Sequence, residues 1–245
     1  MQVGELEAVI FIGHGNRSPK GSLEFVKFIK RTLRDVIVPI KEYCFYERAE
    51  PTLQEAFENC VKRGATSICV VPVLLLPGKQ TTVEIPSELR RLQEMFPEVH
   101  LKWGNPIGAD PVIINIINKR LVNKSFEGLK NEAVLLVSHG SDDPLAYNEF
   151  KKMAQVISSQ LNVKVETGFI VTNPLFKDIV EKLLKDGYNK IYMVPYFLFA
   201  GTFLQELHEA SHANDHLFLC DEIGYDEGLM QMLASRVELT KREYV

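Results

Sequence analysis

The sequence predicts an α/β fold of two similar halves, each a parallel sheet assembled from βαβ units. Three observations predict it. Residues 8–12 form an apolar run, Ala8-Val9-Ile10-Phe11-Ile12, that breaks at Gly13-His14-Gly15. This is the pattern of a strand buried on both faces that ends in a tight turn. Short apolar runs then alternate with stretches of helical periodicity along the whole chain, as parallel strands joined by right-handed helical crossovers do. Finally, the chain repeats itself. His14, Gly15, Pro19 and Lys27 recur in order, at one constant spacing, as His139, Gly140, Pro144 and Lys152. Gly64, Pro72 and Gly78 recur as Gly187, Pro195 and Gly201, and Ile107, Gly108, Asp110 and Arg120 as Ile223, Gly224, Asp226 and Arg236. A period this long excludes a solenoid and indicates two equivalent halves.

In the first half, residues 8–13 read as a strand. Residues 22–35 carry Leu23, Phe25, Val26, Ile29 and Leu33 near helical spacing, with a basic outer face. Residues 36–45 read as a second strand. Residues 51–63 read as a helix, with Pro51 suited to its first turn and Gly64 to its C-terminal cap. The long apolar run 67–76 is a central strand. A helix over 85–95, a strand over 99–103 and a closing helix over 110–121 complete the half. The second half repeats the scheme, with strands near Ala133, Val163, Lys190 and His216. The polar segment 122–132 joins the two, so the expected domains are 1–123 and 131–245.

The bulk composition excludes several classes. The apolar fraction is 46%, the charged fraction 24% and the net charge −4, so no global basic field suggests a nucleic-acid partner. No stretch of eighteen uninterrupted apolar residues suggests a membrane span, and residues 1–7 lack the apolar core of a secretory signal. Cys44, Cys60, Cys69 and Cys220 are scattered without CxxC spacing, which fits buried reduced thiols and a cytoplasmic protein.

If the strands are parallel, their carboxyl ends share one rim, where open α/β sheets place ligands. In the first half that rim collects His14, then Glu47, then Pro77-Gly78-Lys79-Gln80-Thr81-Thr82. An imidazole and a carboxylate from separate strand ends can form a metal site or an acid/base pair. Read alone, Glu47 also fits a solvated loop acid, and Lys79-Gln80 an exposed turn. No GxGxxG, Walker or GxSxG pattern is present, so nucleotide and serine-hydrolase chemistry have no support. His208-Glu209-Ala210-Ser211-His212 spells HExxH, but no third ligand is evident, which disfavours a zinc protease.

Larger motifs carry a resemblance. Gly13-His14-Gly15-Asn16-Arg17, Phe45-Tyr46-Glu47 followed by Glu50-Pro51-Thr52, residues 71–78, Glu84-Ile85-Pro86 and Pro106-Ile107-Gly108 together resemble the sirohydrochlorin chelatases, in their long two-half bacterial form. The resemblance spans nearly the whole chain. It implies a chelatase-like fold of two doubly wound parallel-sheet halves facing across a cleft, and insertion of Fe²⁺, or Co²⁺, into sirohydrochlorin on the route to sirohaem or cobalamin. No organic cofactor is implied, since the metal is itself a substrate, and one chain supplying both halves implies a monomer. By position, His14 becomes metal ligand and base, and Glu47 its acidic partner. Arg17, Lys79, Gln80, Thr81 and His139 become substrate contacts, and Lys20 and Arg48 further cations for the acidic macrocycle. One departure stands out: Gln80 occupies the place of a family histidine, and an amide oxygen is a weak neutral ligand. In the second half His139 remains, while Ile170 and Phe203 match Glu47 and Gln80, leaving a degenerate site. A non-catalytic tetrapyrrole- or metal-binding protein is the alternative reading. A two-lobed receptor of periplasmic-binding type is disfavoured by the missing signal peptide.

Overall fold

The computed structural model describes residues 6–16, 18–141, 143–199 and 201–242. In chain order it contains β1 (Glu7–Gly13), α1 (Pro19–Thr32), β2 (Ile40–Phe45), α2 (Leu53–Lys62), β3 (Ser67–Val73), α3 (Ile85–Met95), β4 (His100–Trp103) and α4 (Pro111–Val122). Then come β5 (Glu132–Ser138), α5 (Pro144–Leu161), β6 (Lys164–Phe169), α6 (Phe176–Lys185), β7 (Lys190–Pro195), α7 (Phe203–His212), β8 (Leu217–Leu219) and α8 (Glu227–Arg242). The strands form two all-parallel sheets of identical order, β2-β1-β3-β4 and β6-β5-β7-β8, as the sequence repeat predicts. No helix among the described residues is long and apolar enough to cross a membrane.

Both faces of each central strand are covered, which is why β1 and β5 read as unbroken apolar runs. Ala8, Ile10 and Ile12 face a core completed by Leu53, Ala56 and Phe57 of α2 and by Leu89 and Leu92 of α3. Ala133, Leu135 and Val137 face the equivalent core with Phe176, Val180 and Leu183 of α6 and Leu207 of α7. Val9, Phe11, Val134 and Leu136, pointing the other way, are fully buried too. All four cysteines are free and buried.

Several boundaries differ from expectation for local reasons. β2 starts at Ile40 because Pro39 has no N–H to offer the ladder. β3 ends at Val73, the residue opposite Gly13, because its neighbour β1 stops there. Helix α1 starts earlier than expected, with Pro19 in its first turn, and leaves Leu23 about half exposed. Helix α2 starts at Leu53: Thr52 accepts from the Glu55 N–H while the Glu55 carboxylate accepts from the Thr52 N–H, a capping box that leaves Pro51 outside the helix.

The compact units also depart from the repeat boundaries at 123 and 131. One unit comprises Met1–Ile107 with Glu227–Val245, the other Gly108–Asp226. The closing helices are exchanged: α8 packs on β3, and α4 packs on β7. Two equivalent arginines fasten the exchange. Arg236 of α8 donates to the carbonyls of Asn105, Pro106 and Ile107 at 2.7–3.0 Å. Arg120 of α4 donates to those of Glu222 and Ile223 at 2.9 and 3.0 Å and pairs with Asp226 at 3.1 Å.

One buried acid gives the second unit a pH dependence. Glu132, 1% exposed, accepts from the N–H groups of Glu127 and Leu129 at 3.0 Å each, and meets the Tyr192 hydroxyl at 3.2 Å and the Lys190 ammonium at 3.4 Å. Burial on its own would raise its pKa, but these donors outweigh it and hold the carboxyl below the usual carboxylate range. A depressed folded pKa adds stability above the unfolded value, lost as pH falls through the folded one. Glu132→Gln is therefore expected to destabilise the protein at pH 7, by on the order of 1–2 kcal/mol. It should also flatten the loss of stability below about pH 4, where a free carboxyl titrates. Urea midpoints at pH 7 and pH 3.5 measure both, and equal pH dependence in the two proteins would refute the assignment.

Candidate functional site

The site grows from the carboxyl end of β1. The β1–β2 ladder continues beyond the strands themselves: the Tyr46 N–H donates to the Gly13 carbonyl at 2.8 Å, and the Glu47 N–H to that of His14 at 3.0 Å. This register brings Glu47 beside His14. The approach demands glycine on the other side. Gly15 has φ +92°, and a Cβ there would lie 1.6 Å from the Glu47 carbonyl oxygen. Gly13 is confined by a side chain instead, since a Cβ would meet the Phe25 ring at 2.6 Å.

The two side chains meet: His14 Nε2 lies 3.3 Å from Glu47 Oε1. Arg48 Nε contacts the same carboxylate oxygen at 3.1 Å, from a residue in the left-handed region at φ 64°. The His14 and Glu47 side chains are 43% and 34% exposed, so the pair is reachable from solvent. An imidazole nitrogen and a carboxylate form a donor set suited to a borderline divalent ion and to proton transfer, while the adjacent guanidinium, which has no lone pair to give a metal, holds the carboxylate.

The segment after β3 supplies the second part of the rim. Residues Gln80–Glu84 form one π-helical turn that runs into α3, a local irregularity frequent at functional sites. Its start is held by Gly78, whose carbonyl accepts from the N–H groups of Thr81 and Thr82 at 3.0 Å each. The Thr81 hydroxyl is also engaged with the Gly78 backbone at 3.0 Å. Lys79 pairs with Glu84 at 3.4 Å.

Glu84 is the participant that residue-by-residue reading passed over. Its carboxylate accepts a 2.6 Å hydrogen bond from the Tyr46 hydroxyl, joining the segment that carries Glu47 to the turn that carries Gln80. That bond, with help from Lys79, lowers the Glu84 pKa and pushes the Tyr46 phenol up to about 12. The signal was present as an acid directly before Ile85-Pro86 at the head of a helix. Its partner, however, lies 38 residues away.

The second unit shows what the duplicated rim became. Here Ile170 N–H donates to the Ser138 carbonyl and Val171 N–H to that of His139. These bonds match those of Tyr46 and Glu47 and correct the expectation for Ile170: Val171, half exposed, stands in the place of Glu47. The pairing expected from the later repeat slips because the loop from Phe169 to Pro174 is one residue shorter than that from Phe45 to Pro51. Phe203, at the position of Gln80, packs its ring against the exposed His139 imidazole, centroids 4.8 Å apart. Arg17 lies outside the described residues. His208 and His212 share a face of α7 with ring centroids 6.1 Å apart, but no group of three or more metal-ligating side chains occurs among the described residues.

Two α/β units of one topology, with an imidazole–carboxylate pair on the rim of the first, define the class; the comparisons with known proteins specify it. The CbiX family model matches twice, over residues 8–124 and 133–240, and the chain belongs to that family. A sirohydrochlorin ferrochelatase of Priestia megaterium is 32% identical, covering 97% of this chain and 91% of its own. A sirohydrochlorin cobaltochelatase of the same organism is also 32% identical, covering 95% and 79% respectively. The solved structure of SirB from Bacillus subtilis with Fe³⁺ superposes with a TM-score of 0.86 at 30% identity, over 96% of both chains.

Proposed function

We propose that this chain inserts a divalent metal into sirohydrochlorin, Fe²⁺ foremost and Co²⁺ as the second candidate. The observation that carries the proposal is the accessible contact between His14 Nε2 and Glu47 Oε1, in a frame that tolerates only glycine at position 15. The reaction exchanges one hydrated M²⁺ for two protons on pyrrole nitrogens. Four ring nitrogens replace the water shell, and two protons leave. His14 serves as ligand to the incoming ion and as proton acceptor, roles a neutral imidazole fills near pH 7. Glu47 supplies the negative charge that draws the cation in and takes up released protons. Arg48 limits how tightly the carboxylate holds the ion, so the metal can leave for the macrocycle. Gln80 offers an amide oxygen as third ligand. Its neighbourhood to His14 is supported by the contact between their counterparts His139 and Phe203. Lys79, Thr81 and Arg17 are the proposed contacts for the acidic macrocycle on this rim, and His139 is the proposed contact on the rim of the second unit. No organic cofactor, nucleic acid or membrane takes part in this reading, and the protein acts as a cytoplasmic monomer.

The test is an anaerobic assay of the full chain with sirohydrochlorin and Fe²⁺, Co²⁺ or Ni²⁺, following the absorbance change on metallation. A rate equal to the spontaneous one with every metal overturns the proposal. That outcome would favour the alternative, a non-catalytic tetrapyrrole- or metal-binding protein, for which Gln80 in place of an imidazole is the specific motive. The same assay reads the third ligand. Gln80→His is expected to preserve or raise the insertion rate, because an imidazole binds these ions better than an amide oxygen does. A folded but inactive variant would remove position 80 from the ligand set.

A further inference from the structure

The second unit kept a histidine on its rim while losing the acid and amide that accompany its counterpart. We infer that this rim holds the metallated tetrapyrrole, with His139 Nε2 as axial ligand to the inserted metal and Phe203 and Phe197 as the apolar wall beside the ring; this rests on the function proposed above. Three observations on this unit point the same way.

The first is the state of the imidazole. His139 Nδ1 lies 3.1 Å from the Gly140 carbonyl oxygen, which can only accept, so Nδ1 carries the hydrogen in that contact. In the neutral ring Nε2 then bears the lone pair. Metal-ligating histidines are commonly fixed this way, with the remote nitrogen donating to a carbonyl. The residue is exposed, so the lone pair is available.

The second is ring geometry. Phe203 stacks on Phe197 with an interplanar angle of 16° and centroids 6.0 Å apart, whereas the His139 plane makes 67° with Phe203. A flat macrocycle laid parallel to the phenyl pair would be met by a steep imidazole plane, as axial coordination requires. The third is composition. At the Glu47 position stands half-exposed Val171, an apolar side chain in place of a carboxylate. Next to it, the buried Thr172 hydroxyl beside Gly140 has no hydrogen-bond partner among the described residues. An imidazole on an apolar wall is the proximal arrangement of haem sites and not that of a cation trap.

The bond that forms is dative, from Nε2 to the metal, with an axial water leaving. No proton moves, because Nδ1 keeps its hydrogen, and no electron is transferred. Preformed iron sirohydrochlorin, added anaerobically to the full chain, is the probe, and the absorption spectrum is the readout. Wild type is expected to shift the bands as free imidazole shifts them in the same compound. His139→Ala should abolish that shift and weaken binding at least tenfold, and added imidazole should restore the spectrum. Phe203→Ala should weaken binding of both the metallated and the metal-free macrocycle while leaving the axial signature of the bound fraction intact. Circular dichroism confirms that each variant is folded. The inference is overturned if His139→Ala keeps the shift, or if His14→Ala removes it. Because the probe is already metallated, this experiment reads out even if the wild type fails to insert metal, so the two proposals fail separately.

Discussion

His14→Ala is expected to lower metal insertion by at least about a hundredfold, the scale on which a positioned general base acts. On the proposed roles, the variant removes the nitrogen that first ligates the ion and, once the ion has passed to the macrocycle, accepts a pyrrole proton. Glu47, already 3.1 Å from the Arg48 guanidinium, is left to attract the cation without the imidazole beside it. The expected signature is a fall in kcat larger than any rise in KM for the macrocycle, because the lost interaction belongs to the metal and the moving proton. The substrate-bound rate follows from single-turnover absorbance traces with Fe²⁺. Exposure of the side chain makes collapse of the fold on truncation unexpected, and a melting curve checks this. An unchanged rate would move the chemistry elsewhere.

Gly15→Ala is expected to be the most damaging small substitution on the rim. Two penalties combine there. The residue sits at φ +92°, and its new Cβ would fall 1.6 Å from the Glu47 carbonyl oxygen, a backbone atom that cannot swing aside. Gly187→Ala separates the two, since Gly187 has the same φ of +92° while a methyl group added there would meet nothing within 4 Å. The control should cost about 1–2 kcal/mol for the unfavourable backbone alone. Gly15→Ala should cost on the order of 3 kcal/mol or more, at or beyond the upper end of the ordinary range for single substitutions. Urea midpoints at constant slope measure the difference. Insertion activity should fall as well, because relief of the clash pushes the Glu47 backbone away from His14. Equal costs at the two glycines would mean that the β1 and β2 ends are not held together as described.

The HExxH string is instructive about short motifs. It lies on a helix and sets two imidazoles on one face, yet the described residues provide no third ligand around it. Gly13-His14-Gly15 is shorter still, but it coincides with a strand end, a positive φ and a carboxylate from the next strand. The difference lies in convergence of separate chain segments, which no motif contains.

By itself the sequence determined the local features. Unbroken apolar runs specified strands buried on both faces. Helical periodicity specified the helices, and Gly13-His14-Gly15 specified a turn that presents an imidazole at a strand end. The duplication was legible because these same local requirements recur in order. Each depends on neighbours a few residues apart, so each leaves a trace in spacing. Only the tertiary structure decided which sheet each closing helix covers. In a duplicated fold α4 and α8 carry the same pattern and the same arginine, so an apolar stripe suits either sheet. Tertiary structure likewise decided that Glu84 clasps Tyr46 and that Val171 stands at the place of Glu47. Those outcomes depend on which backbone hydrogen bonds persist past a strand end, and on contacts across tens of residues, where spacing carries no information.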